Sequence, residues 1–548
     1  MWYLEKWKKR ITLFSLIYKK KSNNHKCYKA YVFFTKKKMK VVLISTSTYP
    51  ADQGIRSVSS FLKKAGHNVK IVFMTESENY KVMYSKKALN QLKNICKNAE
   101  LIGINAYAST AKRAVQIINY LKILNKPIVW GGIHATISPE DCIKHVNLVC
   151  VGEGEEALLE LVNNLEKNKP INKIKNLWIK ENKNIIKNEL RFIIEDVDKL
   201  PFPDHDIEDH YIHKKGKIRK FRESDLDGQV FFLTGRGCPY SCTYCSNKLF
   251  NTLYEGKRKS IVRWHSPDYI ISCIKYLTNR FKSLDYFDIR DDTFSFRSVE
   301  NIKEFCEKYK KEIGLRFKCL GDPRTVSDEK IKLLIDAGCT DIIIGIQAVE
   351  RVNFEIYERT QKDEQVLKCA KILNKYKDKL TVMYDIITCN PYETPEDTLN
   401  AIRLLKKIPK PYFLSVNNLV FFTGSDLYKK AKKDGTIKIE KDSAANLNYW
   451  DRWKHIQLKK KNEYLVLILN LMRGVVTKKR FGLMPTKLIN FLIKPNIVKF
   501  NLKHKWPTYT IGSLVQIMDL FREKIAKPFY RSLPIHFKVW YDKSRYRT

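Results

Sequence analysis

The sequence has no long hydrophobic run. No 18 consecutive apolar residues occur among its 548, and the nearest approach, "YLVLILNLM" from Tyr464, is too short to span a bilayer. A secretory signal is also missing: the apolar stretch "ITLFSLIY" is followed by Lys19, Lys20 and Lys21, not by a small-residue cleavage site. There is no internal repeat, and no low-complexity linker beyond short lysine runs. Acidic residues are scarce, 58 Asp and Glu against 102 Lys and Arg, for a formal net charge of +44. What is present is a hydrophobic fraction of 44%, which excludes wholesale disorder and collagen-like classes. The 13 cysteines are odd in number and scattered, which argues against a disulfide framework. In a reducing cytosol, clustered cysteines more often bind metal or do chemistry.

The positive charge is uneven. Residues 1–38 hold 12 basic residues and one acidic, and residues 436–548 hold 24 and seven. Basic ends on a milder body point to an acidic partner, nucleic acid or an anionic membrane surface, against the alternative of solvated lysine-rich faces. The first 38 residues are weakly amphipathic through Trp7, Ile11, Phe14, Ile17 and Tyr18, and stop at Met39, where "KVVLIS" begins a buried strand. They read either as a membrane-surface helix or as the product of a misassigned start, with Met39 the true first residue; the second reading is preferred.

From Met39 strands and helices alternate. Apolar runs at 40–45, 69–73, 101–105, 127–130 and 147–151, with helical patterns between them, predict an α/β domain over 39–165, a doubly wound, flavodoxin-like parallel sheet. Its ligand would sit beyond the carboxyl ends of the strands, at loops 45–56, 107–110, 131–139 and 152–155. Residues 166–228, rich in Pro, Asp and Lys with weak periodicity, read as a connector. A second series at 229–235, 284–292, 315–321, 341–347, 381–389 and 413–422 predicts a partial (β/α)6 barrel over 229–435. The basic region 436–548, with Trp450, Trp453, Trp506 and Trp540, is expected to be mainly helical.

The chemistry-bearing segment is "TGRGCPYSCTYCSN". It sets Cys238, Cys242 and Cys245 in a C-x3-C-x2-C array directly after the first strand of the second series. Three thiolates this close converge on one iron–sulfur cluster while the loop wraps round it. No fourth cysteine lies nearby, so one iron stays open for a substrate or cosubstrate. Gly235 and Gly237 let the backbone approach the cluster. A structural zinc site would want a second ligand pair that this spacing does not offer.

The loop resembles the cluster loop of radical S-adenosylmethionine (SAM) enzymes. The chain from 39 to about 435 is similar to the subgroup with an N-terminal cobalamin-binding domain. "RWHSPDYI" (263–270), "FDIRDDTF", "IDAGCTDIIIGIQAVE" and "CNPYETPED" resemble further segments of that subgroup, the last in place of a more usual Gly-Xaa-Pro-Gly-Glu-Thr turn. The resemblance implies that a [4Fe-4S] cluster on the three cysteines cleaves SAM reductively. The resulting 5′-deoxyadenosyl radical then takes hydrogen from an unactivated carbon. It also implies an external low-potential electron donor. On the same ground Tyr244 matches the aromatic beside the adenine. Asp291 or Asp292 is expected to accept from the SAM amino group, and Arg324 and Gln347 to meet its carboxylate or ribose.

In the first domain "VWGGIHATISPED" puts Gly131 and Gly132 at a strand end, where paired glycines let a flat ligand press on the backbone. This resembles the Gly-Gly loop of cobalamin-binding domains. His134 is expected to be a turn residue or a polar contact, not a cobalt ligand. After the first strand, "STYPADQGIRS" carries Asp52, Gln53 and Gly54 but lacks the His of the Asp-x-His-x-x-Gly pattern. The resemblance therefore implies cobalamin held without a protein imidazole. "LVCVGEGEEALLEL" resembles a dinucleotide fingerprint, yet Glu153, Glu155 and Glu156 oppose a pyrophosphate. Gly152 and Gly154 are expected to border the cobalamin tail instead.

The expected function is C-methylation of an unactivated carbon by a cobalamin-dependent radical SAM enzyme. Alternatives are cyclisation or ring rearrangement, RNA methylthiolation with a second cluster drawing on Cys96, Cys142 and Cys150, and a non-catalytic cobalamin module. The expected substrate is a small or lipid-like molecule, with nucleic acid the lesser partner. The expected location is cytoplasmic, with peripheral contact at the inner membrane face through the basic ends.

Overall fold

The computed structural model describes residues 38–75, 82–437, 463–482 and 484–504. The amphipathic segment 1–37 and the tryptophans Trp450, Trp453, Trp506 and Trp540 lie outside the described residues.

Strands β1 (Lys40–Ser45), β2 (Asn68–Phe73), β3 (Leu101–Asn105), β4 (Ile128–Gly131) and β5 (Leu148–Cys150) are near-continuous runs of Val, Ile and Leu. Such runs suit a parallel sheet buried on both faces. β1 pairs in parallel with β2 on one side and β3 on the other, with Val41 opposite both Val69 and Leu101. The winding reverses there, and reversal opens a crevice at the carboxyl ends of the strands. The helix Gln53–Lys64 starts in that crevice, where Asp52 caps it by accepting the Ile55 N–H at 3.3 Å.

The segment expected as a connector also builds the sheet. β6 (Leu177–Glu181) and β7 (Asn184–Lys187) form a hairpin on the β5 edge. β8 (Tyr211–Lys214) pairs in parallel with β2 and turns back into β9 (Lys217–Lys220). The order is β7-β6-β5-β4-β3-β1-β2-β8-β9. Outer edge strands are short and largely exposed, so they carry little hydrophobic periodicity for a sequence reading to detect.

The second sheet begins with β10 (Gln229–Phe232). The chain then forms β11 (Gly235–Arg236) and β12 (Arg263–Trp264) before returning as β13 (Tyr286–Ile289), β14 (Arg316–Gly321), β15 (Cys339–Gln347), β16 (Thr381–Thr388) and β17 (Tyr412–Asn418). β10 and β13 to β17 are parallel neighbours in chain order, an open six-stranded barrel. Three of these strands are clearly shorter than expected; β17 stops at Asn418, and the other two shape the site. The first breaks at Phe232, because β11 leaves the sheet to form an antiparallel ribbon with β12. The Trp264 ring covers Gly235 there, and a Cβ on Gly235 would lie 2.2 Å from it. The other ends at Ile289, so Arg290–Asp292 turn over the barrel mouth.

Beyond β17 the sheet continues antiparallel through β18 (Gly474–Val476), β19 (Arg480–Phe481) and β20 (Met484–Pro485). The described part of the C-terminal region is therefore mainly helical, as expected, with three short strands added to the barrel sheet. The helix Glu463–Leu471, which holds most of the apolar run from Tyr464, packs on the barrel helix Pro395–Lys407 and is buried. "LINFLIKPNIVKF" breaks at Pro495 into two helices, Thr486–Leu492 and Pro495–Lys503. Among the described residues no helix is long and apolar enough to cross a membrane.

Candidate active site

A cavity of about 680 Å³ lies where the carboxyl ends of β1, β3, β4 and β5 face the barrel mouth. One wall is made by Asp52–Gly54, Asn105, Gly131, Gly132 and Gly152–Glu155. The other holds Phe231, Cys245, Asn247, Arg290 and Asp292. Two of the glycines are obligatory. Gly132 has φ +89°, and a Cβ there would lie 1.6 Å from Asn105 Oδ1. Gly152 has φ +83°, and its Cβ would lie 2.0 Å from the Tyr254 hydroxyl. Backbone therefore forms this wall and leaves room for a broad ligand. Asp52 lines the cavity but its carboxylate is engaged by the protein itself. It accepts from Ser45 Oγ at 2.7 Å and from the Asn105 amide, besides capping its helix. The Gln53 amide donates to the Phe231 carbonyl and ties this loop to the barrel.

The cluster loop leaves β11 and ends where the helix Ser246–Leu253 begins, with Cys245 at the helix N-cap. The Cys245 N–H donates to the Cys242 carbonyl at 3.0 Å, which closes the C-x2-C turn. Arg359 approaches Cys242 Sγ at 3.9 Å and is itself paired with Asp322. Burial pushes the Cys238 thiol up to about 12 and the Cys245 thiol to about 11. Unliganded, both stay protonated, and metal coordination is what ionises such thiols. Among the described residues no three ligating side chains converge as the shell of a single ion would. A cluster gripped at its corners asks for wider spacing.

The residues expected around SAM separate into two groups. Asp292 is exposed on the cavity wall, and crowding by protein raises its carboxyl while the Asn247 side chain, as a hydrogen-bond donor, opposes that. Asp291 is buried and accepts from the Thr234 N–H at 2.7 Å, beside Arg297 at 3.6 Å, so it braces the end of β10. Arg324 and Gln347 do not line this cavity. Arg324 is held bidentate by Asp322 at 2.8 and 2.9 Å and lies 3.6 Å over the ring of Tyr240 in the cluster loop. Gln347 ends β15 in a left-handed conformation, φ 66°. Tyr244 packs edge-on against Tyr357 at 4.7 Å and does not line the cavity. His134 is buried, 5.6 Å from Trp130 and with Nε2 3.6 Å from Asp141, so its polar contact is to that carboxylate and not to the cavity.

Sequence reading missed an ionic clamp. Arg236 on β11 meets Glu153 at 3.2 Å and Glu155 at 2.6 Å, and Arg263 on β12 meets Glu153 at 2.6 Å. Ser57 joins by donating to Glu155 at 2.7 Å. Two of the three glutamates that oppose a pyrophosphate, Glu153 and Glu155, thus fasten the first domain to the ribbon that carries the cluster loop. His265, the one histidine on the cavity wall among the described residues, is also new. It bonds Asp198 through Nδ1 at 2.9 Å and stacks on Tyr269 at 4.0 Å. Burial lowers it to about 4 against the pull of Asp198, so it is neutral near pH 7. The linear sequence quotes Arg236 and Arg263 beside their motifs but carries no signal that pairs them with Glu153.

Residues 39–162 match the B12 binding domain, and residues 232–405 match the Radical SAM superfamily. The chain belongs to the radical SAM superfamily, in the group with a B12-binding domain. This radical SAM chain is 26% identical over 320 residues to an uncharacterized methyltransferase of Pyrococcus horikoshii, covering 57% of this chain and 65% of that protein. It is 23% identical over 352 residues to bacteriochlorophyllide d C-8(2)-methyltransferase of Chlorobaculum tepidum, covering 62% and 70%. The chain thus spans just under two thirds of the first relative's length. Its fold is that of the radical SAM methyltransferase TsrM of Kitasatospora setae, solved with cobalamin and a [4Fe-4S] cluster bound. The TM-score is 0.57 at 15% identity, covering 76% of this chain and 85% of that one.

Proposed function

We propose that the protein is a cobalamin-dependent radical SAM methyltransferase that acts on a carbon centre of a small molecule. The observation that carries this reading is the shared cavity, with the glycine loops of the B12-binding domain on one wall and Cys245 and Asp292 on the other. When bound, the cluster and SAM supply one-electron hydrogen abstraction, and cobalamin carries a methyl group. The residues here fit those groups. Cys238, Cys242 and Cys245 would hold the cluster through their thiolates. Asp292, on the cavity wall, would accept a hydrogen bond from the SAM ammonium. Gly131, Gly132, Gly152 and Gly154 seat the cobalamin on bare backbone. Buried His265, stacked on half-buried Tyr269, closes part of the wall against water. The electron comes from an external low-potential donor.

Peripheral contact with an anionic membrane is part of the same reading. It is supported by Leu488, Phe491 and Phe500, exposed on the two C-terminal helices beside Lys487, Lys494 and Lys499.

The test is anaerobic reconstitution followed by reduction in the presence of methyl-deuterated SAM. Iron and cobalt should copurify with the chain, and 5′-deoxyadenosine should form with wild type but not with Cys242→Ala. A protein loaded with both metals that consumes no SAM under reduction would overturn the reading. 5′-Deoxyadenosine formed with a processed substrate but no label transfer would shift it to cyclisation.

A further inference from the structure

We infer that Arg258 anchors the phosphate of the cobalamin nucleotide tail; the inference rests on cobalamin occupying the cavity. Four arginines line the wall, and three are already committed: Arg236 and Arg263 to Glu153 and Glu155, Arg290 to Asp288 at 2.7 Å. Arg258 is half-buried and has no hydrogen bond or ion pair among the described residues.

Two hydrogen bonds of the flanking residues fix its place. The helix Ser246–Leu253 ends at Tyr254, whose hydroxyl accepts the Glu153 N–H at 2.8 Å and stands over Gly152. Three residues on, the Lys257 carbonyl accepts the Ile193 N–H at 3.2 Å. These two bonds deliver Arg258 to the loop beyond β5, where a ligand of a doubly wound sheet lies.

Charge balance selects the ligand. Glu153 and Glu155 are matched by Arg236 and Arg263, so that group is neutral and Arg258 is surplus positive charge at this end of the cavity. A half-desolvated guanidinium without an anion is unfavourable, and its planar fork suits phosphate. The periphery of cobalamin carries neutral amides, and its nucleotide tail carries the phosphate.

The test is binding, not turnover. The full chain, loaded with its cluster but free of corrinoid, is titrated by absorbance with cobinamide and with cobinamide phosphate. Wild type should bind the phosphate form about tenfold more tightly, the size of one charge-assisted contact. Arg258→Gln should lose that preference while its affinity for plain cobinamide stays unchanged, which a misfolded variant would not do. Arg258→Lys should keep part of the preference, and raised salt should shrink it. Equal binding of the two probes by wild type, or an undiminished preference in Arg258→Gln, overturns the inference. The second result would leave Arg258 for a substrate anion. Failure of wild type to bind either corrinoid is a different result, and it removes the cobalamin reading itself.

Discussion

Burial pushes the Cys238 thiol up to about 12, and the proposed cluster would take that proton by coordination. Replacing Cys238, Cys242 or Cys245 with Ala should therefore abolish bound iron and the visible cluster absorbance. Cys273→Ala and Cys306→Ala, which change buried helix positions, should leave both intact in an iron assay and a spectrum. Glycine gives a second contrast. Gly132→Ala puts a methyl group 1.6 Å from Asn105 Oδ1 in a left-handed conformation. It should cost about 1–3 kcal/mol of stability and weaken cobalamin binding, read by thermal melting and absorbance titration. Gly154→Ala, whose nearest neighbour would be Val58 Cγ2 at 3.5 Å, should leave thermal stability nearly unchanged in the same melt. A third residue sets a pH dependence. Burial, then the Asp397 charge, raises Glu393 to about 8 against the pull of Arg351, above the 4.5 of a free carboxyl. The proton it keeps stabilises the fold fully below pH 4.5, and that contribution is lost as pH climbs through 8. Glu393→Gln should flatten the decline of Tm across this window; an unchanged decline would refute the assignment.

Among elements, the ribbon of β11 and β12 does the positioning. It hangs the cluster loop from Arg236 and Arg263, and both arginines reach across to the loop and helix after β5. Arg236→Gln leaves Glu155 largely buried without its cation, which should cost about 1–3 kcal/mol after allowance for partial exposure. Cobalamin and cluster should both still bind, because their own ligands are untouched. The separation between Co(II) and the reduced cluster should nonetheless spread in pulsed electron paramagnetic resonance, and Arg236→Lys should spread it less. The alternating strands of both sheets were legible as apolar runs, since each is a local property of five to ten residues. The ribbon was not, because two residues per strand make no pattern. The strands in 166–228 escaped because edge strands hide only one face.

For the whole molecule, the two cofactor seats rest on different sheets. Chelating the iron anaerobically should therefore end SAM cleavage while cobalamin stays bound, as followed by 5′-deoxyadenosine assay and the corrinoid spectrum. Loss of both together would mean that the cluster loop holds the cavity open. The sequence by itself determined the cluster motif, the glycine loops and the two βα series. In each of these the chemistry lies within a few consecutive residues, and chain geometry alone brings them together. The tertiary structure decided that Asp292 opens on the cavity while Asp291 braces Thr234 across 57 residues of chain. It also decided that Arg324 serves Asp322, and that Arg263 finds Glu153 across 110. These pairings depend on how two sheets dock, and docking is set by the summed burial of many side chains, not by the order of any few.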